Sequence, residues 1–380
     1  VAGIGYNLIE LNSIEEKKNS TDINTDKKDI ISSTPSVTVG IPVLNEEDHI
    51  ERVISGFLET DYPNLIEILI ADGGSTDRTR EIVQELSLKD ARVKLIENPE
   101  KYQSFALNKM IEKAEGEVFL RADGHCLYQK DYLEKNIEVF LKTGAKNVGG
   151  AQRYVAKNSV QAGTALAVKS FLGNGGAKYM DETYDGYADT VFLGCFWTED
   201  LREVGGFNTK NITNQDSELN LRIIENYGES IYVSPDIKSW YYPRDSFIRL
   251  FKQYFRYGRG RFLTKVLHPK SSPIRGLTPF LFICALSIYL ILDLVIAQNL
   301  YFPQIATGLA IILLVESLRV VLKNRKSFLE ENWSGDESNQ PSVLSLWVRT
   351  TTSILTMQIG HFSGFLYQLM RKLVLRIKGW

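Results

Sequence analysis

Between Val37 and Ala122 short apolar runs alternate with amphipathic segments, and this alternation constrains the fold more than any other feature of the chain. VTVGIPV (37–43), LIEILIA (65–71), RVKLIEN (92–98) and EVFLRA (117–122) have the length and apolar character of single strands. EEDHIERVISGFLE (46–59), TDRTREIVQELS (76–87, with Thr76 near its cap) and SFALNKMIEKAEG (104–116) carry apolar residues at helical spacing. Apolar strands that alternate with helices predict a mostly parallel sheet covered on both faces. Ligands of such sheets bind beyond the carboxyl ends of the strands.

The next part is less regular. It holds a Gly-rich loop FLGNGGAKYM, a strand DTVFLGCFW, a helix QDSELNLRIIENYG, a short strand ESIYVSP and an aromatic-basic helix SFIRLFKQYFRYGRGRFL. After residue 276 the character changes. LTPFLFICALSIYLILDLVIA (277–297) and LYFPQIATGLAIILLVESLRVVL (300–322) are each long enough as helices to cross a bilayer core of about 30 Å. They read as a hairpin of two membrane spans, the alternative being two buried core helices. Asp293, Glu316 and Arg319 are costly within these runs unless they lie near an end or face a partner helix. Basic residues on both sides of the hairpin (KVLHPKSSPIR and RVVLKNRK) place both flanks, and the domain before them, in the cytosol. The last apolar region, 342–370, is interrupted by Arg349 and His361 and followed by basic residues. It is expected to be re-entrant, interfacial or spanning, and a re-entrant or interfacial pair of helices best fits the charge rule.

Composition sets limits. A net charge of −2 gives no excess with which to neutralise nucleic-acid phosphates. The cysteines Cys126, Cys195 and Cys284 are scattered and odd in number, which fits a reducing compartment and not a disulfide framework. Residues 1–36 are expected to be a disordered tail, because SIEEKKNSTDINTDKKDIISSTPS has too few large apolar residues to fold. The opening VAGIGYNLIELNSIEEKK lacks the basic start and apolar run of a secretory signal.

Three acidic clusters follow three strands. PVLNEE places Asn45, Glu46 and Glu47 after the first; alone it reads equally as a helix start. ADGGSTDRT places Asp72 after the second, where it could accept from a base or ribose; alone it reads as a turn capped by Asp77 or Thr76. RADGH places Asp123 and His125 after the fourth strand, with Gly124 leaving room between two potential metal ligands; alone it reads as a solvated turn. Three such clusters facing one crevice favour a ligand site.

The series PVLNEE, ADGGSTDRT, AEGEVFLRADGH, NQDSELNLRI and QYFRY resembles family 2 glycosyltransferases of the GT-A fold, from about Val37 to His268. RADGH, GNGGAKY, YADTVFLG, NQDSELNLRI and RLFKQYFRYGRGR look most like the succinoglycan-biosynthesis type of membrane glucosyltransferase. The resemblance implies an α/β, Rossmann-like GT-A domain over 37–270, followed by a C-terminal membrane region over 271–380. It implies that Asp72 binds the uracil, with Pro42, Asn45 and Glu46 forming the adjoining nucleotide wall. Asp123 and His125 stand at the D-x-D positions, where the first acid contacts ribose or metal and the second holds the metal. The His is a departure, and imidazole suits Mn²⁺ better than Mg²⁺. Asp216 matches the catalytic base, although Gln215 stands where Glu is frequent; its local alternative is a helix cap. Gln253, Arg256 and Tyr257 match the Q-x-x-R-W motif of the acceptor channel, with Tyr for Trp, and Asp189 falls on the acceptor side. As an alternative, the helix that carries that motif is interfacial and amphipathic.

The expected activity is inverting, metal-dependent transfer of a hexose, glucose first, from a UDP-sugar to a hydroxyl of a lipid-linked glycan for an exopolysaccharide or the cell envelope. Expected partners are the donor, the acceptor, membrane lipid and other polysaccharide-assembly proteins, in a cytoplasmic membrane with the catalytic domain in the cytosol. The alternatives are transfer to a polyprenyl phosphate, and a non-catalytic membrane protein that binds sugar nucleotide or glycan.

Overall fold

The computed structural model describes residues 34–296, 301–377 and 379–380. Of the expected tail, residues 1–33 lie outside the described residues, as does the link 297–300. Order is already present at Pro35 and Ser36. The Pro35 carbonyl accepts from Tyr62 Oη at 2.7 Å, and the Ser36 amide donates to Glu117 at 2.8 Å.

The first half follows the expected rhythm: β1 (Val37–Val43), α1 (Ile50–Leu58), β2 (Leu65–Asp72), α2 (Thr79–Lys89), β3 (Val93–Glu97), α3 (Gln103–Lys113) and β4 (Val118–Arg121). The chain continues through β5 (Leu127–Tyr128), α4 (Tyr132–Thr143), β6 (Asn147–Tyr154), α5 (Ser159–Ala167), α6 (Phe171–Asn174), β7 (Gly186–Tyr187) and β8 (Phe192–Trp197). Then come α7 (Thr198–Glu203), α8 (Gln215–Tyr227), β9 (Ile231–Tyr241) and α9 (Phe247–Leu267). The C-terminal region is α10 (Thr278–Val295), α11 (Phe302–Glu331) and α12 (Val343–Leu373).

The strands form one sheet in the order β3-β2-β1-β4-β8-β6-β9-β5, with β7 paired to β9. The pairs β3-β2, β2-β1 and β1-β4 are parallel. Beyond β4 the sheet is mixed: β8 runs antiparallel to β4 and β6, and β9 parallel to β6. Strand periodicity carries no direction, so this reversal was not legible in the sequence. β1 is central and covered on both faces, which is why VTVGIPV is apolar throughout. One face packs Val37, Val39 and Ile41 with residues of α1 and α4, such as Ile54 and Phe140. The other packs Phe119 with α3 and α8 through residues such as Leu107 and Leu219. In register, Val43 lies beside Asp72 and Asp72 beside Glu97. The ends of these strands therefore open on one edge of the sheet.

α10 and α11 are long and apolar enough to cross a membrane, and about half of their large apolar side chains are exposed. The two acids expected to be costly there, Asp293 and Glu316, both have partners. Asp293, 3% exposed, accepts from the amides of Tyr301 (3.1 Å) and Phe302 (2.9 Å) and so caps the start of α11. Glu316 accepts from Ser170 Oγ at 2.8 Å and from Arg319 Nε at 2.6 Å. Region 342–370 departs from the expected pair of helices, because α12 is one continuous helix of 31 residues. The polar and small residues that interrupt its apolar run are contact points. A Cβ on Gly364 would lie 1.9 Å from the Phe255 carbonyl oxygen, and one on Gly258 2.0 Å from the His361 carbonyl oxygen, so α9 and α12 touch backbone to backbone. Ser353 Oγ meets Thr164 Oγ1 of α5 at 3.0 Å, and Thr351 Oγ1 meets Ser317 Oγ of α11 at 2.7 Å.

Candidate active site

The loops after β1 and β2 are laced together by their polar side chains. Asn45 adopts a φ of +57°. Its amide donates to Ser75 Oγ at 2.9 Å, and its Oδ1 accepts from the Thr76 amide at 2.8 Å. The Glu46 amide donates to Thr79 Oγ1 at 2.8 Å. Pro42 sits in β1 opposite Ala71, where its missing N–H is tolerated at the strand's end. Asp72 is 1% exposed. Its carboxylate accepts from the amides of Gly74 and Ser75, from Ser75 Oγ, and from Arg80 Nη1 at 2.9 Å. Arg80 in turn holds Glu97 of β3. In this structure Asp72 therefore organises the β2–α2 turn with its own chain, beside the Asn45 loop.

The Asp123–His125 turn packs directly on the β1 loop. A Cβ on Gly124 would come within 3.1 Å of Val43 Cγ1 and 3.3 Å of Glu46 Cγ, so glycine permits this approach. Glu46 Oε1 lies 2.9 Å from His125 Nδ1. Burial lowers the affinity of His125 for a proton. The hydrogen bond to Glu46 and the nearby charge of Asp123 outweigh it, so the net pKa is above the ordinary value. Tyr128 Oη accepts from the Asp123 amide at 2.7 Å and donates to its carbonyl at 3.0 Å. Burial keeps that phenol neutral. Asp123 Oδ1 accepts from Gln103 Nε2 at 3.2 Å and from Arg121 Nη2 at 3.3 Å. Gln103, Arg121 and Tyr128 were not singled out in the sequence. Gln103 comes from α3, 20 positions upstream of Asp123, and no local motif marks it.

Among the described residues no group of three or more His, Cys, Asp or Glu is placed to hold a metal. Two donors nevertheless suit one. A Glu46–His125 bond through Nδ1–H leaves Nε2 with its lone pair, the usual carboxylate–histidine arrangement behind a ligand atom. Asp123 Oδ2 makes no hydrogen bond among the described residues, since both bonds to this carboxylate fall on Oδ1. A cation here would take its remaining ligands from solvent or substrate oxygens.

Asp216 stands in the first turn of α8, where Ser217 N–H donates to its Oδ1 at 2.7 Å. Burial disfavours the charge on Arg121, but the charges of Asp123 and then Asp216 more than compensate, so its net pKa is raised. Gln215 Nε2 donates to Gln103 Oε1 at 2.6 Å. The α8 start is also tied to α9: Thr213 Oγ1 donates to the Arg256 carbonyl at 2.9 Å and Asn214 Nδ2 to the Tyr257 carbonyl at 3.2 Å. Gln253 Nε2 donates to Tyr257 Oη at 2.9 Å, while the Arg256 side chain is exposed. Asp189 is not free at this edge, because it is paired with Arg275 just before α10. Burial pushes the phenol of Tyr179, in the Gly-rich segment, above its ordinary value, against the opposing charge of Arg261. His268, at the end of α9, sits between Glu218 (3.2 Å) and Glu225 (3.0 Å) of α8. His125 is thus joined to Glu46, and Asp123 is joined through Gln103 to Gln215 beside Asp216, with Asn45 and Asp72 on the adjoining loops.

Residues 38–197 match the family described as Glycosyl transferase family 2. The chain is 37% identical over 253 residues to the succinoglycan biosynthesis protein ExoA of Rhizobium meliloti (strain 1021), spanning 66% of this chain and 76% of that protein. It is 30% identical over 299 residues to dolichyl N-acetyl-alpha-D-glucosaminyl phosphate 3-beta-D-2,3-diacetamido-2,3-dideoxy-beta-D-glucuronosyltransferase of Methanococcus voltae, spanning 76% of this chain and 89% of that protein. In fold it resembles the mannosyltransferase PcManGT from Pyrobaculum calidifontis, solved in complex with GDP-Man and Mn²⁺, with a TM-score of 0.53 at 20% identity over 89% of this chain and 88% of that one.

Proposed function

The chain belongs to glycosyltransferase family 2, and from that premise we propose that it is an inverting hexosyltransferase of the membrane surface, acting from a UDP-sugar on a hydroxyl of a lipid-linked glycan. The observation that carries this reading is the chain of hydrogen bonds that runs from Asp123, on the donor side, through Gln103 to Gln215, the residue before Asp216 at the start of α8. Asn45, Glu46 and Asp72 would frame the nucleotide beyond β1 and β2. Asp123 and His125 would hold a divalent cation, Mn²⁺ or Mg²⁺, whose charge offsets the negative charge that develops on the leaving diphosphate. Asp216 would take the proton from the acceptor hydroxyl as its oxygen bonds to the anomeric carbon. The bond from that carbon to the diphosphate breaks in the same step, and the diphosphate departs with the electron pair and needs no proton. One base and one displacement mean inversion.

The acceptor assignment is supported by two facts. The name of the Methanococcus voltae relative specifies a sugar on dolichyl phosphate as its substrate. In this chain α9 (Phe247–Leu267), with Gln253, Arg256 and Tyr257, is followed by the apolar helices α10 (from Thr278) and α11. We place those helices in the membrane and the catalytic domain on the cytosolic side. The test is nucleotide release by the full chain in membranes, with UDP- and GDP-sugars in turn, with Mn²⁺, Mg²⁺ or EDTA. Cation-dependent UDP release from one donor is expected. Release that EDTA leaves unchanged would remove the cation, and a strict GDP-sugar requirement would remove the uridine assignment.

A further inference from the structure

Two glutamines join the donor side of the site to the acceptor side. Gln103, the first residue of α3, donates through Nε2 to Asp123 Oδ1 and accepts through Oε1 from Gln215 Nε2. Gln215 is 6% exposed and directly precedes Asp216. The direction of both bonds is fixed by the charge at one end. An ionised carboxylate accepts only, so the Gln103 amide must turn its nitrogen to Asp123 and its oxygen to Gln215. Bonds to an ionised acceptor are also stronger than neutral ones. Elsewhere α3 and α8 share a second anchor. Asn108 of α3 is hydrogen-bonded in both directions to Phe207 (2.8 and 2.7 Å), and Arg222 of α8 donates to the carbonyls of Val204 and Gly206 in the same loop. With the two helices pinned there, the Gln103–Gln215 bond sets how the first turn of α8 sits against Asp123.

Resting on the reading above, we propose that Gln103 is a positioning residue that couples the donor-side carboxylate of Asp123, through Gln215, to the turn that carries Asp216. Nucleotide bound at Asp123 would then steady the first turn of α8 before an acceptor arrives.

The coupling is tested on the full chain in detergent with UDP, and separately GDP, plus Mn²⁺. Hydrogen exchange of the 215–218 amides is followed beside calorimetric nucleotide affinity and turnover. Wild type should show slower exchange at 215–218 when nucleotide binds. Gln103→Leu should lose that protection while keeping nucleotide affinity within about a factor of three, and its turnover should fall about 10- to 100-fold. Gln215→Leu should behave alike, and the double variant should be no worse than either single one. Gln103→Glu, which can still accept from Gln215 but repels Asp123, should also lose the protection. Protection that survives in Gln103→Leu, or losses that add in the double variant, would overturn the proposal. So would a parallel fall of melting temperature, affinity and turnover, which marks a merely structural glutamine. If neither nucleotide binds wild type, the reading of the whole site fails, and the bridge with it.

Discussion

His125 Nδ1 and Glu46 Oε1 lie 2.9 Å apart although 79 positions separate them in the chain. The contact fixes the ring, directs Nε2 away from Glu46 and ties the loop after β1 to the turn after β4. A consequence is a definite pH dependence.

In the cation-free protein the pKa of His125 is raised on folding, so its stabilisation is complete below the ordinary histidine value and is lost as pH rises through the folded one. Cation affinity runs the other way, because the proton competes for the ring. Mn²⁺ titrations in the presence of UDP between about pH 5.5 and 8 should show affinity falling as pH drops through a value above that of a free histidine. Glu46→Gln should weaken binding about 10- to 100-fold at the upper end and move the fall to lower pH. Affinity that is flat over this range would exclude His125 from the cation site.

Asp216→Asn keeps the shape of the first turn of α8 and removes the proton acceptor. Turnover should fall about 10²- to 10⁴-fold, with calorimetric UDP affinity unchanged. Turnover equal to wild type would assign the base elsewhere.

Glu67 tests the fold and not the site. It is 1% exposed at the amino end of β2. It accepts from Thr38 Oγ1 (2.7 Å), from the Glu115 amide (2.8 Å) and from Lys94 Nζ (2.7 Å). Burial pushes its pKa up, and these partners, Lys94 first, more than reverse that, so the net shift is downward. Its contribution is therefore present above the ordinary carboxylate value and lost as pH falls through the depressed one. Glu67→Leu, which leaves these donors unsatisfied, should cost about 1–3 kcal/mol at neutral pH and less in acid. A melting-temperature deficit that stays constant from neutral pH into acid would contradict the assignment.

Gly364 is where α12 meets α9. Gly364→Val forces a side chain against the Phe255 carbonyl and should destabilise the chain by about 1–3 kcal/mol or more. Because α9 also holds the 213–214 turn, turnover should fall too. Gly308→Val serves as the comparison, since a Cβ on Gly308 meets nothing within 4 Å. Equal melting temperatures for the two variants would show that α9 and α12 do not pack as described.

What the sequence determined by itself were the features that local periodicity and local chemistry encode. The order β1-α1-β2-α2-β3-α3-β4 follows from short apolar-rich runs that alternate with segments of helical spacing, and β1 is found at the boundaries read from VTVGIPV. The apolar lengths of α10 and α11, and the acids placed after β1, β2 and β4, were visible for the same reason. Other features depend on contacts between residues far apart in the chain. The antiparallel course of β8 is one, because alternation does not encode strand direction. The single helix of α12 is another: Arg349 and His361 look like interruptions until Gly163 of α5 packs against Arg349 and Gly258 of α9 against the His361 carbonyl. The pairing of Asp189 with Arg275 is a third. The last is the amide bridge from Asp123 through Gln103 to Gln215. A glutamine has no periodicity and no charge to announce it, and only the packing of α3 against α8 brings its two partners within reach.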